Sequence, residues 1–255
     1  MKYAIGANWK MNGTPSEAAD FLEGMRELGS VEIDADIILF PPFTLIPLLS
    51  ERAALAGMEL GGQDIFWEDA GAFTGEISPG MLRDAGASWF IAGHSERRHV
   101  LEESDEVVRR KLEKGLTSGL RGILCVGELR EERDAGRTEE VVKRQIGSAL
   151  EGLKAADPDN LVVAYEPVWA IGTGLTATPE EADRMHSLIR GWIAEIRNGS
   201  FASEIRIQYG GSVKPENARE ILSMPSVDGA LVGGASLRAD SFMAIVRNAP
   251  DGAAS

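Results

Sequence analysis

The chain has one cysteine, Cys125, and only three histidines among 255 residues. A lone thiol excludes an intrachain disulfide and a thiolate metal site, and it suits a reducing, cytoplasmic setting. No HxH or HExxH pattern occurs, so no metal is expected. Positive charge is scarce: 26 Lys and Arg stand against 40 Asp and Glu, a net charge of −14. Such a balance argues against nucleic acid or an anionic membrane as partner. An anionic substrate must then be met by a few local cations or by the N–H groups of helix N-termini. No hydrophobic run approaches a membrane span. The opening "MKYAIGANWK" lacks the apolar core of a secretory signal, and the small, polar tail "APDGAAS" reads as frayed.

What is present is a regular alternation. Short apolar runs fall at Tyr3–Ala7, Ile37–Phe40, Met58–Gly61, Trp89–Ala92, Ile123–Val126, Leu161–Tyr165, Ile205–Tyr209 and Ala230–Val232. Met58–Gly61 is a strand mainly by its place in the series. Runs of this length without polar alternation suit strands buried on both faces. Amphipathic stretches lie between them. Thr178-Pro179-Glu180-Glu181 reads as an N-cap, a proline at the first helical position and a capping-box glutamate. Met185, Leu188, Ile189, Trp192, Ile193 and Ile196 follow as one apolar stripe at helical spacing. Thr14-Pro15-Ser16-Glu17 opens a helix in the same way. Eight strand–helix units with no composition break predict an α/β chain folded as a single (β/α)8 barrel, the TIM-barrel architecture, in one domain spanning residues 1–255. An open doubly wound sheet would place a Gly-rich fingerprint after the first strand, where this chain has "NWKMNG".

In such barrels the chemistry sits at the C-terminal ends of the strands. Asn8 and Lys10 follow the first strand. His94, Ser95 and Glu96 follow the fourth, Glu128 the fifth, and Glu166 closes the sixth in "AYEPVWAIGTG". "YGGS" (Tyr209 to Ser212) and "VGGAS" (Val232 to Ser236) end the seventh and eighth. Taken singly, each has a plain structural reading: a strand-end Lys or Glu in a loop salt bridge, a Gly-Gly pair in a tight turn. His99 and His186 read as ordinary surface or packing residues. Together the strand ends bring a carboxylate, an imidazole, an ammonium and an amide to one mouth. The two glycine turns admit backbone N–H groups close to a phosphate, and Ser212 adds a hydroxyl. A Schiff-base lysine is conceivable, but the sixth strand ends in Glu, not Lys. The set suits proton transfer beside a carbonyl: one base, one electrophile, one cation.

The segments "ANWKMNG", "GAFTGEIS", "AGHSERR", "AYEPVWAIGTG" and "YGGSVKP" resemble, in order and over nearly the whole chain, the motifs of the triosephosphate isomerase family. The resemblance implies interconversion of dihydroxyacetone phosphate and glyceraldehyde 3-phosphate, within glycolysis and gluconeogenesis and without a cofactor. It implies that Glu166 is the base, that His94 polarises the carbonyl oxygens, that Lys10 stabilises developing negative charge and that Asn8 orients the substrate. Glu96 would pair with Lys10 or relay protons. The phosphate would lie against Gly172, Ser212, Gly233 and Gly234. Pro167, Val168, Trp169, Ala170, Ile171, Gly172, Thr173, Gly174, Leu175 and Thr176 would form a lid loop, with Leu175 where the family often has Lys. The resemblance also implies a homodimer. The long connection from Gly62 to Ser78 would reach a partner subunit through Gln63, Phe73 and Thr74, bringing Thr74 near the partner's Asn8 and Lys10.

Two other readings use the same residues. A retaining glycosidase on this barrel would pair Glu166 with Glu96 or Glu128 about 5 Å apart. A non-catalytic phosphate-binding protein would need neither Glu166 nor His94 at the mouth.

Overall fold

The apolar runs become eight parallel strands in one closed ring, each paired with its neighbours in chain order and the last with the first. The structure is a computed structural model, and it describes residues 2–29, 35–170 and 177–250. The strands are β1 (Tyr3–Asn8), β2 (Ala35–Phe40), β3 (Glu59–Gly62), β4 (Trp89–Ala92), β5 (Arg121–Val126), β6 (Leu161–Tyr165), β7 (Arg206–Tyr209) and β8 (Gly229–Val232). Around them run α1 (Pro15–Glu27), α2 (Ile46–Leu55), α3 (Pro79–Asp84), α4 (Ser95–His99), α5 (Asp105–Thr117), α6 (Arg130–Asp134), α7 (Thr138–Leu150), α8 (Pro179–Ile196), α9 (Gly199–Glu204), α10 (Ala218–Leu222) and α11 (Ala239–Arg247). Among the described residues, no helix is long and apolar enough to cross a membrane.

Two apolar layers explain the unbroken runs. Alternate residues such as Trp89, Ile91, Ile123, Cys125, Val162 and Ala164 fill the barrel interior. Their neighbours Phe90, Ala92, Leu124, Val126, Val163 and Tyr165 pack outward under the helices. Strand β7 departs from this pattern. Its inward residues are polar, and each finds a partner: Arg206 pairs with Asp36 at 2.5 Å, and the Gln208 amide donates to the Ala4 carbonyl at 2.8 Å.

Both expected capping boxes form. Thr14 and Glu17 exchange side-chain bonds with each other's backbone N–H at the start of α1, and Thr178 and Glu181 do so at the start of α8. Each cap is worth roughly 1 kcal/mol. Several strands gain a residue or two at an end, and two, β3 and β7, start one residue later than their apolar runs, for a local reason. The Met58 N–H bonds back to the Ala53 carbonyl, so Met58 still belongs to the turn after α2. The Ile205 N–H bonds to the Phe201 carbonyl, so Ile205 closes α9 instead of opening β7.

Helix α8 carries a buried imidazole behind the rims of β6 and β7. His186 is fully buried between the rings of Tyr165 and Tyr209, with Nδ1 3.2 Å from the Ser226 carbonyl oxygen. Burial disfavours the imidazolium and lowers its pKa from 6.5 to about 4. Between those values the unfolded chain takes up a proton that the folded chain refuses. Stability therefore rises with pH across this window and is lost as pH falls through it, by up to about 3 kcal/mol. We predict that urea unfolding of the parent shows this rise between pH 4 and 6.5 and that His186→Gln loses most of it. An equal slope in both proteins would assign the pH dependence to other groups.

Candidate active site

At the C-terminal rim the strand ends surround a cavity of about 440 Å³. Asn8, Lys10, His94, Glu166, Ser212, Gly233 and Gly234 all line it, so residues that are distant in sequence share one surface. Sequence reasoning gave no role to Asn12 and Lys214, which also line the cavity. Both lie on loops already singled out, and only their direction was hidden.

The base candidate is held by its neighbours. Glu166 follows β6 directly, and its N–H continues the ladder to the Val126 carbonyl at 2.8 Å. Its side chain is 3 % exposed. One oxygen accepts from the Ser95 N–H at 3.0 Å, and the other lies 3.1 Å from His94 Nε2. His94 caps α4, and its Nδ1 accepts from the Glu96 N–H at 3.2 Å. A ring nitrogen that accepts carries no proton, so the imidazole is neutral and its hydrogen sits on Nε2, facing Glu166 and the cavity.

Lys10 is placed by its backbone as much as by its side chain. Its φ is +54°, a left-handed value that non-glycine residues rarely adopt. Three bonds hold this region: Lys10 N–H to Asn8 Oδ1 (3.1 Å), Gln63 Nε2 to the Lys10 carbonyl (2.8 Å) and Asn12 Nδ2 to the Trp9 carbonyl (2.7 Å). The ammonium pairs with Glu96 at 2.6 Å and passes near the β8 turn at Gly233. Gln63, expected at a subunit contact, thus braces Lys10 within its own chain and also donates to the Phe40 carbonyl at 2.9 Å. Phe73 and Thr74 stand exposed on the loop after β3, which is closed at its base by the Phe66 N–H to the Ile77 carbonyl at 2.8 Å.

Glu128 does not line the cavity. It is fully buried and accepts from Trp169 Nε1 at 2.9 Å and from the Tyr165 hydroxyl at 3.1 Å. Burial raises its pKa, and the bonds from Trp169 and Tyr165 work against that rise. It anchors the start of the loop after β6, where Arg133 also stacks on the Trp169 ring at 4.0 Å. Pro167, Val168, Trp169 and Ala170 of the expected lid are described; Ile171, Gly172, Thr173, Gly174, Leu175 and Thr176, including the expected phosphate contact at Gly172, lie outside the described residues. The glycosidase arrangement finds no second carboxylate, since neither Glu96 nor Glu128 lines the cavity with Glu166.

Opposite the acid–imidazole pair, the turns after β7 and β8 complete the wall. A short 3-10 helix, Gly234–Leu237, starts at the second turn, so its N-terminus faces the cavity and favours an anion there. Trp9 ties this turn to the Lys10 loop by donating to the Ser236 carbonyl at 3.0 Å.

Fold and site together define a (β/α)8-barrel protein whose mouth combines a carboxylate, an imidazole and a lysine with a wall built from two glycine turns. The model of the family described as Triosephosphate isomerase matches residues 3–249. Similar proteins named triosephosphate isomerase include those of Geobacter metallireducens (50% identical, 95% of this chain and 96% of that protein), Moorella thermoacetica (50%, 95% and 96%) and Chloroflexus aurantiacus (48%, 95% and 97%). The chain belongs to the triosephosphate isomerase family.

Gly210 fixes where the Glu166 side chain rests. A Cβ at Gly210 would lie 2.7 Å from Glu166 Cγ. Gly210→Ala is predicted to push the carboxylate off the Ser95 N–H. Losing one charge-assisted bond should speed exchange of the Ser95 amide hydrogen by about tenfold or more. Unchanged exchange by NMR would mean that the carboxylate does not depend on this gap.

Proposed function

We propose that the chain interconverts dihydroxyacetone phosphate and D-glyceraldehyde 3-phosphate by base-catalysed proton transfer through an enediolate, without a cofactor. The observation that carries this reading is the convergence of Glu166, His94 and Lys10 on one cavity whose far wall is built from the two glycine turns. A phosphate held at Ser212, Gly233 and Gly234 leaves the three-carbon chain between the anion wall and Glu166. The Glu166 carboxylate leaves the Ser95 N–H, takes a proton from the carbon next to the carbonyl and returns it to the neighbouring carbon. No oxidant or reductant enters, because the two compounds are isomers. The His94 Nε2–H donates to the oxygen that gains charge, the hydroxyl proton on the adjacent carbon passes to that oxygen by way of the same ring nitrogen before the second carbon is protonated, and Lys10 adds a cation beside them. Asn8 sets the Lys10 backbone and presents an amide to the substrate.

Replacing Glu166 by Gln removes the base while keeping the shape. It should lower kcat by at least ~10²-fold with little change in KM. Lys10→Met should weaken kcat/KM through both binding and chemistry. A coupled assay with glyceraldehyde 3-phosphate measures both, and near-normal turnover of Glu166→Gln would remove the assigned base.

The chain acts in the cytoplasm as a homodimer. Support for the dimer comes from apolar side chains left in water after β1, β2 and β3: Met11 (95% exposed), Leu48 (59%), Phe73 (43%) and Met81 (53%). These strands are neighbours in the ring, so the segments that carry the four residues adjoin one another. A grouping of that kind marks a protein contact. Thr74 at the tip of the β3 loop would support Asn8 and Lys10 of the second copy. Shortening residues 66–74 should yield a monomer by sedimentation with much lower turnover. Full turnover in a proven monomer would separate assembly from catalysis.

A further inference from the structure

Strand β5 stays paired with β6 for two residues after β4 has left it. The β4–β5 register ends at Ala92 with Leu124, whereas β5 and β6 stay paired up to Val126 and Tyr165. At Gly93 the chain turns away with φ +74° and enters the loop that carries His94. The carbonyls of Gly93 and Cys125 lie beyond the last β4–β5 rung and take their bonds from one side chain. Arg98, on α4, donates from Nε to the Gly93 carbonyl at 2.8 Å and from Nη2 to the Cys125 carbonyl at 3.2 Å. Its third nitrogen, Nη1, bonds Asp105 at the start of α5 at 2.7 Å. Asp105 is gripped in turn by Arg144 of α7. The Arg98 side chain is only 6% exposed. A Cβ on Gly93 would lie 2.8 Å from its Nη2, so the guanidinium is seated against the turn itself.

We infer that Arg98 is a positioning residue for the His94–Glu166 pair, setting the spacing between the neutral imidazole and the carboxylate by bridging the diverging ends of β4 and β5. This rests on the isomerase reading of the site. The Gly93 carbonyl immediately precedes His94. Cys125 stands in register with Ala164, two residues before Glu166, and its thiol lies in the field of the Glu166 carboxylate. Arg98 therefore touches the backbone beneath each member of the pair and touches neither directly. It also fixes α4, whose first two N–H groups bond Glu166 and His94 Nδ1. A planar fork with three nitrogens serving three elements has no equivalent in lysine, which offers a single donor atom. The anion wall lies elsewhere in the ring, on β7 and β8, so a change at Arg98 should separate chemistry from phosphate binding.

The test compares the parent with Arg98→Met, Arg98→Lys and Asp105→Asn. For each we would measure kcat and KM for glyceraldehyde 3-phosphate, the inhibition constant of inorganic phosphate, circular dichroism and the thermal midpoint. Arg98→Met is expected to lose about 10²-fold in kcat, the size of effect that a misplacement of about 1 Å produces. Arg98→Lys should recover only part of this loss. Asp105→Asn, which keeps the guanidinium but frees its outer end, should lose about three- to tenfold. The phosphate inhibition constant should stay within about twofold in all three. A folded Arg98→Met with kcat within about twofold of the parent would overturn the inference, as would a phosphate constant that worsens in step with kcat. If Arg98→Met does not fold, Asp105→Asn decides, and unchanged kcat there overturns it. A parent that binds phosphate but does not isomerise would sink the isomerase reading itself, and the inference with it.

Discussion

A parallel barrel must end, and at its C-terminal rim the ladder leaves backbone groups that no strand pairs. Buried groups of this kind need partners, because an unmade bond away from water costs more than a made one contributes. Much of the candidate site follows from how they find them. The Glu166 N–H and the Gly210 N–H extend the ladder past β6 and β7 by bonding Val126 and Tyr165. Side chains satisfy others: Gln63 serves the carbonyls of Phe40 and Lys10, Arg98 those of Gly93 and Cys125, and Gln145 both the N–H and the carbonyl of Gly127. These amides and the guanidinium hold the loop backbones in fixed positions, so the groups that face the cavity start from a rigid frame.

The same economy governs charge. On a chain with a net charge of −14, Lys10 at the mouth is already paired with Glu96, Lys214 stands exposed at the cavity's edge, and Glu166 adds another negative charge nearby. The turns after β7 and β8 line the same cavity and bring backbone N–H groups to it, donors that need no counter-ion and no side-chain ordering. The left-handed backbone of Lys10 stores strain that Gln63, Asn8 and Asn12 hold in place.

Local order was legible in the sequence wherever local rules set it. Trp89–Ala92 and Leu161–Tyr165 begin and end where their apolar runs do, and both capping boxes formed because each needs only four consecutive residues. The cavity residues were legible because barrel topology assigns chemistry to strand ends, so Asn8, His94 and Glu166 could be picked out before any coordinates. What escaped was long-range. The bonds of Gln63 to Phe40, Arg98 to Cys125 and Gln145 to Gly127 join residues 23, 27 and 18 positions apart. No periodicity encodes them. Glu128 was noticed as a strand-end carboxylate, but its burial on Trp169 and Tyr165 needed the fold. Met58 and Ile205 slipped because apolar character does not tell the last residue of a turn from the first of a strand.

The solitary thiol gives this protein an internal clock. Cys125 points into the barrel interior, fully buried, and burial together with the Glu166 carboxylate pushes its pKa well up. Neither access nor thiolate character favours a thiol reagent in the closed molecule. Every modification event therefore reports one excursion in which the strands have parted. Because there is a single cysteine, the label count is unambiguous, and its time course reads out the free energy of opening at the centre of the fold. The surface is correspondingly blank to thiol chemistry, so a probe attached through an introduced cysteine would mark one chosen place.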